Sequence, residues 1–221
     1  YRKMHEIITS GEMGAIKRVN WIITDWYRTQ AYYDSGCWRA TWAGEGGGVL
    51  LNQCPHNLDL FQWLVGMPVR VRAFTHNGLW HDIEVEDDVT AYMEFENGAT
   101  ANITASRITQ ARVRTLTVTT DTNYIDMDFI NQSINVHSQG RMPYVNPENI
   151  PEWMNYGLKG SVEQLFIPTN QPLSAELNHF LSCVRGEATP RITGQNALDA
   201  LRVIWKIQEK LGFFNLSADK S

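Results

Sequence analysis

Apolar and polar residues alternate strictly between positions 89 and 96. Val89, Ala91, Met93 and Phe95 stand against Thr90, Tyr92, Glu94 and Glu96. Period two is the mark of a strand with one buried face. Asn97-Gly98 then predicts a hairpin turn into a second strand over 99–106. Runs at 113–120 and 123–128 repeat the pattern about Asp121-Thr122, so sheet is expected across 69–138. Successive hairpins favour antiparallel pairing, with one face packed and the other more polar. A stretch rich in Val, Ile, Trp, Thr and Tyr, 16–27, predicts one further strand.

Elsewhere the spacing changes to three and four. Tyr1, Met4, Ile7 and Ile8 predict a helix that Ser10-Gly11 ends. Residues 49–65 predict another, closed by Gly66 with Pro68 just beyond. Pro55 must kink that helix or begin a new one, because it lacks a backbone donor and crowds the preceding turn. Ser174 can cap a helix carrying Leu177, Phe180, Leu181 and Val184, ended by Gly186. Thr193 can cap a last one carrying Leu198, Leu201, Ile204, Trp205, Gln208 and Leu211, ended by Gly212. The segment 28–48 has no evident element, and loops of that length are uncommon unless functional. Residues 139–172 are expected to form an irregular excursion over the surface. The fold class is therefore α+β, an open and largely antiparallel sheet with helices on one face.

A chain of 221 residues that is 43% hydrophobic can bury a sizeable core. Its net charge of −5 makes nucleic acid and anionic membrane surfaces poor partners. No apolar run approaches the roughly 20 residues of a membrane span. Cys37, Cys54 and Cys183 are widely spaced and form no CxxC pair, which speaks against zinc ribbons and a disulfide framework. With no signal-peptide features, the expected compartment is the cytoplasm.

The stretch from Gly46-Gly47-Gly48 to Asp59 holds the most chemistry. On a helix, Leu51, Cys54, Leu58, Phe61 and Val65 share one face, while Asn52, His56, Asp59 and Trp63 share another. Imidazole is the side chain best suited to move protons near neutral pH, which makes His56 a candidate acid or base. The same residue could equally be an ordinary hydrogen-bonded histidine. The glycines allow the backbone close to a ligand, yet they form no G-x-G-x-x-G fingerprint. His76 and His81-Asp82 match no metal-ligand spacing and are expected in a solvated loop; no metal site is expected. His5, His137 and His179 have no partners close in sequence. Asp25, Trp26 and Arg28 are expected to be structural.

The order of these pieces resembles the C-terminal domain of the glucose–fructose oxidoreductase, inositol dehydrogenase and rhizopine-catabolism family (Gfo/Idh/MocA). The resemblance is carried by Ile7 to Ile16 with its Gly11-x-x-Gly14, by Trp38-Arg39 and the triple glycine, by Glu86 to Ala99, and by Glu176-Leu177-x-x-Phe180-Leu181, Gly186 and Thr193-Gly194. It implies an NAD(P)-dependent dehydrogenase acting on a sugar or polyol, with NAD or NADP held mainly by an upstream Rossmann domain. Residues 1–221 would be its substrate-binding and oligomerisation domain, truncated at the N-terminus, which fits a start at Tyr1 inside a helix. Homo-oligomers through the open sheet face are implied as well. The family's helix usually carries Asp-x-x-x-His; here His56 matches, and Asn52 stands at the Asp position. An amide can orient a hydroxyl or an imidazole but cannot accept a proton as a carboxylate does. His56 and Asn52 are thus the catalytic candidates, and Trp38, Arg39, Trp42 and Glu45 the substrate-binding ones, through aromatic stacking and the arginine donor fork. Two other readings stand beside this one: a carbohydrate-binding or assembly domain without redox activity, and an NAD-dependent glycosidase.

Overall fold

The structure, a computed structural model, describes residues 1–36, 38–78, 80–138, 161–167 and 171–211. Cys37, Gly212 and most of the expected excursion at 139–172 lie outside the described residues. The order of elements is α1 (Arg2–Thr9), β1 (Ile16–Ile23), α2 (Gln30–Asp34), α3 (Val49–Asn52), α4 (Pro55–Val65), β2 (Arg70–Asn77), β3 (Glu86–Glu94), β4 (Thr100–Ser106), β5 (Arg114–Thr120), β6 (Asn123–Asp128), β7 (Ser133–Ser138), β8 (Ser161–Leu165), α5 (Pro172–Val184) and α6 (Gly194–Lys210).

Eight strands form a single sheet in the order β2-β3-β4-β1-β5-β6-β7-β8. The alternation read from the sequence sets its two faces. Val89, Ala91 and Met93 of β3, Ala101, Ile103 and Ala105 of β4, Val19, Trp21 and Ile23 of β1, and Leu116 and Val118 of β5 all turn to one side and are buried. Every neighbouring pair is antiparallel except β1 and β4, which run parallel from Arg18–Thr100 to Ile23–Ala105. That parallel pair joins an antiparallel meander on each flank. On the opposite face one row reads Tyr92, Asn102, Asn20, Thr117, Asp126 and Asn135 across six strands.

Pro55 resolves as the start of a new helix. It is the first residue of α4, where its missing N–H costs nothing. Leu58, Phe61 and Leu64 are buried, and Phe61 lies 6.1 Å from the Trp21 ring of β1. Thr193 closes a capping box with Asn196 at the start of α6. The buried stripe of α6 is Ala200, Val203, Ile204, Ile207 and Gln208, rotated from the expected one, so that Trp205 stands half exposed.

Three further departures are informative. The loop expected at 28–48 contains the short helix α2. Part of the expected irregular segment, Ser161–Leu165, is an edge strand on β7; its side chains are nearly all exposed, so no alternation could reveal it. Helix α5 exists but buries no residue, and Phe180 is 62% exposed rather than docked on the sheet.

Candidate active site

Of the candidate residues the structure joins Asn52 and Glu45, in the loop-and-helix segment that follows β1. Leaving β1, the chain crosses back to β4, with the Arg28 N–H donating to the Arg107 carbonyl at 3.0 Å. It then winds through α2 and a turn-rich loop into α3. Glu86, at the start of β3, holds that loop down. Its fully buried carboxylate accepts the N–H groups of Gly48 and Leu50, each at 3.1 Å. Burial pushes the Glu86 carboxyl above its ordinary range, against the opposing pull of its own, Leu50 and Gly48 amides. The backbones there approach so closely that a Cβ at Gly48 would lie 1.8 Å from the Glu86 carbonyl oxygen.

Asn52 ends α3 and His56 sits in the first turn of α4, both exposed. Asn52 Nδ2 donates to Glu45 Oε1 at 2.6 Å, and Asn52 Oδ1 accepts from Gln53 Nε2 at 2.6 Å. The second oxygen of Glu45 accepts the Ala40 N–H at 2.9 Å, which anchors the loop to α3. Among the described residues His56, which is exposed, has no hydrogen-bond partner.

The four substrate-binding candidates separate. Trp38 is 51% exposed, and the Arg39 guanidinium lies 4.6 Å from its ring and 4.5 Å from that of Tyr32. Arg39 also donates to the Tyr32 hydroxyl at 2.8 Å. These two residues line the rim beside Glu45. Trp42 instead packs on the small cluster of Tyr33, Ala40 and Val85, a structural position.

The histidines outside this edge are structural or superficial. His81, expected in a solvated loop, is nearly buried, and its Nδ1 meets Asp87 Oδ2 at 2.5 Å. His5 stacks on Trp63 at 3.9 Å, and His137 pairs with Asp126 at 2.6 Å. Asp25 lies 3.9 Å from Arg114, which also donates to Asn57 Oδ1 at 2.9 Å, in keeping with a structural role. Burial pushes the Cys54 thiol up to about 12, with the Glu86 charge adding to it, so Cys54 is no nucleophile. Among the described residues no group of three His, Cys, Asp or Glu could hold a metal ion, and no helix is long and apolar enough to cross a membrane.

The residue that sequence reasoning missed is Arg107. Its guanidinium is buried, and Nε donates to Gln53 Oε1 at 2.5 Å. The only signal available was an arginine directly following an alternating strand, which is too common to single out.

Known proteins share this domain and its fold. The profile of the GFO/IDH/MocA C-terminal domain matches residues 1–125. UDP-N-acetylglucosamine 3-dehydrogenase of Acidithiobacillus ferrooxidans is 28% identical over 138 residues, which are 62% of this chain and 40% of that protein. Among solved structures, the WlbA dehydrogenase of Chromobacterium violaceum, in complex with NADH and UDP-GlcNAcA, superposes with a TM-score of 0.70 at 26% identity. The WlbA dehydrogenase of Bordetella pertussis gives the same TM-score at 24% identity. Each WlbA alignment covers 95% of this chain and 56% of the other. A levoglucosan dehydrogenase complexed with NADH shares the fold, at a TM-score of 0.72 and 14% identity. The chain thus spans about half the length of the relatives it matches, and over more than half of its own length it belongs to the GFO/IDH/MocA family through that family's C-terminal domain.

Proposed function

We propose that this chain is the substrate-binding and assembly domain of an NAD(P)-dependent dehydrogenase that acts on a sugar carbinol, with nucleotide-linked amino sugars as the first class to try. The carrying observation is the exposed His56, without a hydrogen-bond partner among the described residues, four positions after an Asn52 whose amide is held by Glu45. One relative is a UDP-N-acetylglucosamine 3-dehydrogenase, the two WlbA dehydrogenases are complexed with NADH and UDP-GlcNAcA, and the levoglucosan dehydrogenase is complexed with NADH.

Strand β1 leads into Thr24 to Thr29 rather than a glycine-rich turn and helix, so the described residues at its end do not form a cradle for the pyrophosphate of a nicotinamide cofactor. The cofactor, when bound, supplies the hydride acceptor or donor. In the oxidative direction His56 takes the proton of the reacting hydroxyl as the carbinol C–H bond breaks, and in reduction it returns that proton. Asn52 and Glu45 orient neighbouring hydroxyls, and Trp38 offers a flat apolar surface to sugar C–H groups. The open sheet face, with Ile22 and Tyr92 exposed among Thr and Asn side chains, mediates contact between subunits. Free Cys54 and Cys183 suit a cytoplasmic setting.

The test is turnover of UDP-N-acetylglucosamine and its 6-carboxylate by the full-length gene product, followed by nicotinamide absorbance with NAD and with NADP. His56→Ala should lower kcat by about 10²–10⁴-fold, the usual worth of a positioned acid or base. Undiminished turnover would remove His56 from that role.

A further inference from the structure

Four side chains in series connect a buried cation to the rim of the site. Arg107, only 1% exposed, directs Nε and Nη2 at Gln53 Oε1, while Nη1 lies 3.5 Å from the Tyr33 hydroxyl. Arginine can only donate, so the carbonyl end of the Gln53 amide has to face it. Gln53 Nε2 then points the other way and donates to Asn52 Oδ1 at 2.6 Å. That fixes the Asn52 amide in turn, leaving Nδ2 to donate to Glu45 Oε1 at 2.6 Å. Both Glu45 oxygens accept, one from Asn52 Nδ2 and the other from the Ala40 N–H. The ends of the series are therefore a pure donor and a pure acceptor, and none of the three links can be reversed.

This polarity dictates what residue 52 must be. It has to accept on the Gln53 side and donate on the Glu45 side, which an amide does and an ionised carboxylate cannot. We infer that Glu45 is the carboxylate of this site, and that Arg107, through Gln53 and Asn52, is the residue that positions it. Glu45 stands at the loop end of the segment that carries Asn52 and, four positions on, His56. Its meaning for turnover rests on the dehydrogenase reading; the directed chain itself does not.

The swap of the two end groups tests the inference. In the full-length gene product, Asn52→Asp sets two carboxylates within hydrogen-bond distance, so one of them retains a proton well above the ordinary range. Its thermal midpoint should fall as pH rises through that range, and kcat/KM at neutral pH should drop about tenfold, one pKa unit's worth of misplaced charge. Glu45→Gln alone faces two donors, Asn52 Nδ2 and the Ala40 N–H, with one acceptor oxygen, and also loses stability. In Glu45→Gln/Asn52→Asp every link survives. Gln53 donates to the new carboxylate, the new amide donates to its other oxygen, and the amide carbonyl takes the Ala40 N–H. The double variant should recover most of the midpoint lost by either single change, and its midpoint should lose the pH dependence seen in Asn52→Asp. A double variant as unstable as the two losses added would overturn the inference. A wild-type protein without turnover on any sugar would sink the dehydrogenase reading alone, because the thermal cycle still decides this one.

Discussion

The three consecutive glycines are not equivalent, and replacing the first and third by alanine separates two kinds of constraint. Gly46 has φ +74°, and a Cβ there would meet nothing within 4 Å. Gly46→Ala bears only the left-handed backbone penalty, about 1 kcal/mol. Gly48 has an ordinary negative φ, but its added Cβ would stand 1.8 Å from the Glu86 carbonyl oxygen. A relaxed contact is about 3.5 Å, so α3 has to lift well over ~1 Å off β3. That motion gives up both N–H bonds into the Glu86 carboxylate, at about 1–3 kcal/mol each, and puts the loss for Gly48→Ala near 4 kcal/mol. Urea unfolding followed by tryptophan fluorescence measures it. With a slope of about 2 kcal/mol/M the midpoint should fall by about 2 M for Gly48→Ala and by about 0.5 M for Gly46→Ala. Equal midpoints for the two variants would show that α3 does not depend on the close approach to β3, and the account of Glu86 as its clamp would fail.

Glu86 also gives stability a pH signature. Its carboxyl is held above its unfolded value chiefly by burial. Its contribution is therefore complete below the ordinary glutamate range near ~4.3 and is lost as pH rises through the raised folded value. Thermal midpoints taken across that window should fall less steeply with pH in Glu86→Gln than in wild type, and identical slopes would refute the assignment. If the open sheet face is the proposed subunit contact, Ile22→Lys with Tyr92→Lys should lower the sedimenting mass of the full-length protein to that of a monomer. An unchanged mass would place the subunit contact elsewhere.

Much of the fold was legible because its signals are local. Alternation fixed the faces of β3 to β6, Asn97-Gly98 marked a hairpin, Pro55 marked a helix start and Thr193 marked a cap. Elements without a local signature escaped. Helix α2 is too short to show a period, and β8 has no buried face. The paired apolar residues of α5 announced a helix but not what it packs against. At the candidate site, His56 and Asn52 were singled out by their spacing and their likeness to a motif. Glu45 was singled out by its place in the loop. Arg107 was not, because it meets Gln53 across 54 positions, and Asp87 gave no hint that His81 would turn inward onto it. Side chains that organise a site from beneath leave no periodic trace.

The central place of β1 has a kinetic consequence. It precedes the other strands of this sheet, yet both of its neighbours come much later: Asn20 reaches Asn102 across 82 positions and Thr117 across 97. The hairpins β3–β4, β5–β6 and β6–β7 close short loops and can form early, whereas β1 must wait for two of them to be ready. Until then Trp21, Ile22 and Ile23 remain uncovered in a strand with two unpaired edges, the kind of surface on which nascent chains stick to one another. Refolding at low protein concentration, and a chaperone able to shelter the first strand, are therefore the conditions under which this sheet closes on itself rather than on its neighbours.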